Sequence, residues 1–112
     1  MAAAIVAAAG DDLGPWTMYQ ARRKDSDRVV MGLGFIEPPD GDGRVRIGFS
    51  ETDEARADAL APEALEALVA FAKHEGATFV SAETADPRAA EVFLEAGLTQ
   101  VAVCGGLRQF EA

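Results

Sequence analysis

Ile47-Gly48-Phe49-Ser50, the passage from Glu51 to Ala61, and the run Pro62-Glu63-Ala64-Leu65-Glu66-Ala67-Leu68-Val69-Ala70-Phe71-Ala72-Lys73-His74-Glu75-Gly76 decide how the rest of the chain is read. Ile47 and Phe49 alternate with Gly48 and Ser50, as at the end of a strand. Leu65, Leu68, Val69 and Ala72 then fall at i, i+3, i+4 and i+7. Pro62 to Glu75 is therefore a helix with one apolar side, while Glu63, Glu66, Ala70 and Lys73 lie elsewhere on its wheel. Pro62 suits a first helical turn, where an N–H would have no partner, and Gly76 suits the left-handed position just past the end. A one-sided helix that follows a strand predicts a sheet beneath it.

Before this unit the pattern is of strands. Trp16 to Arg23 alternates aromatic and polar residues, Lys24-Asp25-Ser26-Asp27 is a turn, and Val29 to Ile36 is a second strand. On that strand Val29, Met31, Leu33 and Phe35 share a face, and Gly32 and Gly34 on the other imply a neighbour packed close. Glu37 to Gly43 is a loop, and Arg44 to Ser50 completes three antiparallel strands. After the helix, Thr78 to Thr84 is a strand, and Pro87 to Ala96 is a helix capped by Asp86 and stopped at Gly97. Thr99 to Cys104 and Leu107 to Phe110 pair through Gly105-Gly106. The order is β-β-β-α-β-α-β-β, an α/β arrangement on a mixed sheet. Residues 14–112 form one domain, and residues 1–13 an alanine-rich stretch, either a flexible tail or an added strand.

The 112 residues suffice for one core. A formal charge of −9, from 19 acidic and 10 basic side chains, opposes general attraction to nucleic acid or to an anionic membrane. An anionic ligand must therefore be held by local donors. Met1 to Gly10 is apolar but lacks a basic start and is too short to span a bilayer, which places the protein in the cytoplasm. Cys104 is the one cysteine, so the chain forms no internal disulfide and no thiolate metal site; Val101, Val103 and Leu107 around it predict an inert strand thiol. His74, at the end of the longer helix, stands where a cation complements the helix dipole.

The runs Gly43 to Ser50, Arg56-Ala57-Asp58-Ala59-Leu60-Ala61-Pro62-Glu63-Ala64-Leu65, Asp86-Pro87-Arg88-Ala89-Ala90 and Glu95-Ala96-Gly97-Leu98 resemble the GCN5-related N-acetyltransferases (GNAT), above all the branch that acetylates amino termini of ribosomal proteins. Gly14-Pro15-Trp16 and Pro38 to Gly43 are similar to the same branch. The resemblance implies that acetyl-CoA lies between two splayed parallel strands, Arg44 to Ser50 and Thr78 to Thr84. Its pantetheine arm would pair with backbone near Phe49 and Ser50. Its pyrophosphate would sit at the turn Arg56, Ala57, Asp58, Ala59, Leu60 and Ala61, at the positive end of the helix. Asp86 would be a further cofactor contact, and Glu83 the base that takes a proton from the attacking amine.

Several positions depart from the family pattern. Ala59 stands where a glycine is expected, Asp58 brings a carboxylate to the phosphate turn, and Asp86 replaces an asparagine and its amide donor. Phe93 occupies the place of a proton-donating tyrosine, and Arg46 that of a glutamate. The strand and two helices that usually wall the acceptor site are also missing from the front, which leaves a groove for a second subunit to cover and predicts a homodimer. Two readings follow. One is an acetyl-CoA-dependent N-acetyltransferase, or a reduced relative that still binds acyl-CoA, acting on an amine. The alternative is a catalytically inactive acetyltransferase-like module that dimerises or binds a partner.

Overall fold

The computed structural model of the chain describes residues 3–7, 16–23, 28–57 and 59–112. The elements are β1 (Ala3–Ala7), β2 (Met18–Arg23), β3 (Val29–Glu37), β4 (Arg44–Glu51), α1 (Asp53–Ala57), α2 (Ala61–His74), β5 (Phe79–Thr84), α3 (Pro87–Glu95), β6 (Thr99–Cys104) and β7 (Leu107–Glu111). From β2 onward the expected order holds, with the short α1 inserted where a plain loop was the expectation. Thr52 starts it: its hydroxyl accepts from the Ala55 N–H at 3.2 Å and donates to the Val30 carbonyl at 2.9 Å. Within the alanine-rich start, Ala3–Ala7 is a strand, paired antiparallel with β2 from Ala3↔Arg23 to Ala7↔Tyr19. Residues 1, 2 and 8–13, the pair Gly14-Pro15, the turn Lys24-Asp25-Ser26-Asp27 and Asp58 lie outside the described residues.

The strands make a single sheet of order β1-β2-β3-β4-β5-β7-β6. Its pairs are antiparallel except β4 with β5, which run parallel and are joined through α1 and α2. Leu33 and Phe35 of β3, Val45 and Ile47 of β4, Val80 and Ala82 of β5, and Phe110 of β7 are buried beneath α2 and α3. Leu65, Leu68 and Ala72 line the inner side of α2, and Val92 and Phe93 that of α3. Each buried aliphatic side chain stabilises the fold by about 1.5–3 kcal/mol. Arg44, Arg46, Ser50 and Glu83 project from the opposite face. No helix among the described residues is long and apolar enough to cross a membrane.

Two glycines position the part of the sheet that matters below. A Cβ on Gly34 would stand 2.5 Å from the Thr17 carbonyl oxygen and 2.7 Å from Met18 Cα. That carbonyl accepts from the Phe35 N–H at 3.1 Å, so the backbone at Thr17 and Met18 is the close neighbour of Gly34, while Gly32 faces the Ser50 hydroxyl of β4. Gly43, at φ +79°, accepts at its carbonyl from the N–H groups of Thr78 at 2.8 Å and Phe79 at 3.3 Å. It thus ties the starts of β4 and β5 together. Beside it the Asp40 carboxylate accepts from the N–H groups of Arg44 and Asp42, which hold its pKa below the ordinary value.

Candidate active site

β4 and β5 begin as neighbours and then part. Their ladder comprises Arg44↔Phe79, Val45↔Val80 and Arg46↔Ser81, with the Ser81 hydroxyl donating to the Val45 carbonyl at 3.2 Å. Beyond it β4 continues to Glu51 while staying registered on β3, and β5 continues to Thr84 while staying registered on β7. Each strand follows its antiparallel partner, so the edge of β4 from Ile47 to Glu51 has no partner on β5.

On the helix side of this opening lies a hollow of about 160 Å³ lined by Phe49, Ser50, Glu51, Arg56, Asp86, Arg88 and Ala89. Four of the expected cofactor residues, Phe49, Ser50, Arg56 and Asp86, thus meet in one place although three elements supply them. Asp86 is committed to capping: its Oδ1 accepts from the Arg88 N–H at 3.2 Å at the start of α3. Glu51 and Arg88 are additions that the sequence reading missed. The signal was present, because Glu51 shares the buried parity of Ile47 and Phe49 and so puts a carboxylate on the apolar face. Its side chain is 4% exposed, and its Oε1 accepts from Arg56 Nε at 3.4 Å and Arg88 Nε at 3.2 Å. A carboxylate so buried needs such partners.

The turn from Arg56 to Ala61 follows directly. The Ala59 N–H donates to the Arg56 carbonyl at 3.2 Å and the Leu60 N–H to the Ala55 carbonyl at 3.0 Å, while no side chain caps α2. The first N–H groups of a helix have no intrahelical acceptors, which leaves this end suited to an anion. Leu60 and Ala61 are buried in the core, whereas Ala57 and Ala59 are exposed. Ala59 has φ +53°, the left-handed conformation for which glycine is expected at this position. Holding alanine there costs about 1–2 kcal/mol, of which the extra freedom of glycine in the unfolded chain would give back about 0.4–1 kcal/mol. Ala59→Gly is therefore expected to raise stability by a little under about 1 kcal/mol, seen as a higher urea midpoint at unchanged slope.

The opposite face carries a second hollow, of about 200 Å³, whose lining includes Arg44, Arg46, Ser81, Glu83 and Glu111. Glu83 sits one pleat beyond Ser81, where the strands part, and Arg46 Nη1 is 3.8 Å from its Oε1. Arg46 also pairs with Glu37 at 3.2 Å, and Arg44 with Glu111 at 3.0 Å. The hollow that gathers the expected cofactor residues and the side chain of Glu83, the expected base, are thus on opposite faces of the sheet. Phe93 is 3% exposed, its ring edge-on to Phe49 at 5.5 Å and tilted against Phe110 at 5.4 Å; it is a core ring without a proton to give. Cys104, expected to be inert on its strand, is exposed.

The opening thus carries two guanidinium groups, Arg56 and Arg88, both engaged with the Glu51 carboxylate, beside an uncapped helix start and unpaired strand edge. Neither a protein-family model nor a curated protein matches the chain. Solved structures do match it. The GNAT domain of S. lividans PAT is 19% identical, with 93% of this chain and 64% of that one covered, at a TM-score of 0.76. Spermidine N-acetyltransferase from Vibrio cholerae, in complex with CoA and spermine, is 9% identical over 85% of this chain and 63% of its own, at 0.72. Ribosomal-protein-S5-alanine acetyltransferase from Vibrio fischeri is 10% identical over 85% and 60%, at 0.71. The chain spans less than two thirds of the length of these proteins. It has a GNAT-like fold.

Proposed function

We propose that the chain is an acetyl-CoA-dependent N-acetyltransferase that acetylates an amine. The observation that carries this reading is the parting of β4 and β5 after Arg46 and Ser81, with an arginine-lined hollow on one face and Glu83 on the other. Phe49 and Ser50 offer the unpaired β4 edge to the carrier's arm, Arg56 and Asp86 line its hollow, and the backbone of Ala57, Ala59, Leu60 and Ala61 at the start of α2 is offered to its phosphates. When bound, acetyl-CoA supplies an acyl group already activated as a thioester. Glu83 takes the proton of the amine, directly or through a water. A cationic amine has to displace Arg46 to reach that carboxylate. The C–S bond breaks as the C–N bond forms, and because Phe93 supplies no acid the leaving thiolate takes its proton from water.

Calorimetric titration with acetyl-CoA and with CoA tests this reading, and a saturable heat is the expected result. Absence of heat at millimolar ligand would instead support the non-catalytic module, which Phe93 and the Arg46–Glu83 contact favour.

The same reading places the protein in the cytoplasm as a homodimer. β6 ends the sheet, all its residues are exposed, Val101 and Val103 to 56% and 63%, and Thr99 to Cys104 carries no charge. In a molecule of charge −9, that is the strip along which two copies meet at least electrostatic cost. Val103→Lys is expected to yield a monomer by sedimentation equilibrium with CoA binding retained. A wild-type chain that already sediments as a monomer would refute the dimer.

A further inference from the structure

The hollow lined by Glu83 adjoins another of about 260 Å³ that reaches Glu37 and Asp40, and the two share Arg44, Arg46 and Ser81. Two guanidinium groups therefore stand in the middle of this face, with carboxylates on both sides. Their contacts are unequal. Arg44 is held by Glu111 at 3.0 Å, and its guanidinium carbon lies 5.1 Å from the centre of the Phe79 ring. Arg46 Nη2 is 3.2 Å from Glu37 Oε1, but Nη1 is 3.8 Å from Glu83 Oε1, too long for a hydrogen bond. Charge alone joins that last pair. With the two side chains 44% and 36% exposed, it is worth at most about 1 kcal/mol. It is the contact that an incoming ligand exchanges at least cost.

The chemistry of that exchange restricts the acceptor. A polyamine brings only positive charge, which Arg44 and Arg46 repel. The amino terminus of a protein brings an ammonium to Glu83 but offers Arg46 a neutral peptide group in place of an anion. A free α-amino acid carries both charges side by side, so every charge is paired before the exchange and after it. A hollow of about 200 Å³ suits so small a molecule. We propose that the acceptor is a free α-amino acid, with its carboxylate on Arg46 and its ammonium on Glu83, and that Arg46 is the residue that selects it. The assignment rests on the reading of the chain as an N-acetyltransferase and names the substrate class of that site. Acetylation turns the ammonium into a neutral amide. Once Glu83 has passed its proton to water, it pairs with Arg46 again and displaces the product.

The test measures release of CoA thiol from acetyl-CoA with a panel of free amino acids, each beside its own carboxamide, and with spermidine as the polycation. A carboxamide keeps the side chain and the α-amine and removes only the negative charge. Its amine is the less basic, so more of it is free at neutral pH and a preference for the acid cannot come from reactivity. At least one amino acid is expected to exceed its carboxamide about tenfold or more in kcat/KM. Arg46→Gln is expected to reverse that preference, because it removes the carboxylate's partner and releases Glu83 to cations. Arg46→Lys, which keeps the charge and loses the fork, is expected to retain part of it. Thermal melts confirm that each variant is folded, and a merely structural role would lower both substrates alike. Carboxamides or spermidine acetylated as well as the acids by the wild-type chain overturn the assignment and leave the transferase reading standing. So does a preference for the acid that Arg46→Gln leaves unchanged. Transfer to none of these amines also overturns it, and calorimetry with acetyl-CoA on the same sample then decides whether the cofactor reading falls too.

Discussion

Glu83→Gln is expected to lower the rate of acetyl transfer by about a hundredfold to ten-thousandfold, the usual contribution of a positioned base, while CoA affinity is unchanged. Glutamine matches glutamate in size but accepts no proton at working pH. Glu83 is 36% exposed on the sheet face away from α2 and α3, and its contact is with Arg46, itself 44% exposed. The substitution removes no core packing, so the variant should melt as the wild type does. The hollow proposed to take CoA is on the other face, which is why binding and turnover are expected to separate. Steady-state release of CoA thiol in the presence of an amine, beside calorimetry on the same samples, measures both. A variant as fast as the wild type would place the base elsewhere.

Leu65→Ala is expected to cost about 3 kcal/mol of stability, within the range of buried leucine truncations. Leu65 is fully buried on the inner side of α2, the helix whose apolar stripe covers the middle of the sheet. Small domains have only about 5–15 kcal/mol in total, so the urea midpoint should fall by a large fraction of its value. Leu94, on the outer side of α3 and 47% exposed, is the control: Leu94→Ala should move the midpoint little. Equal shifts for the two would contradict the assignment of faces.

What the linear sequence determined is local. Period and caps placed α2 within a residue of Ala61–His74 and α3 within a residue of Pro87–Glu95, because helix repeat, proline and glycine act over a few neighbours. Strand alternation put Val29, Met31, Leu33 and Phe35 on one face of β3 and Val45 and Ile47 on one face of β4, all buried except Val29 at the start of its strand, and of the close neighbours that the β3 glycines implied, that of Gly34 is the backbone at Thr17. The resemblance to the GNAT pattern also singled out Phe49, Ser50, Arg56 and Asp86, four residues that share one hollow.

Only the tertiary structure decided the rest, since it depends on which distant segments come together. That β4 and β5 separate after Arg46 and Ser81 follows from each strand keeping its own antiparallel partner, a competition no window of sequence contains. That Glu51 is a buried carboxylate braced by Arg56 and Arg88 requires the end of β4 to meet the start of α3, across 37 positions of chain. That Ala59 adopts a glycine's conformation is set by the hydrogen bonds of its turn, whose cost the packed α2 offsets. Residue patterns specify elements through short-range sterics and burial; the site arises where those elements compete for partners.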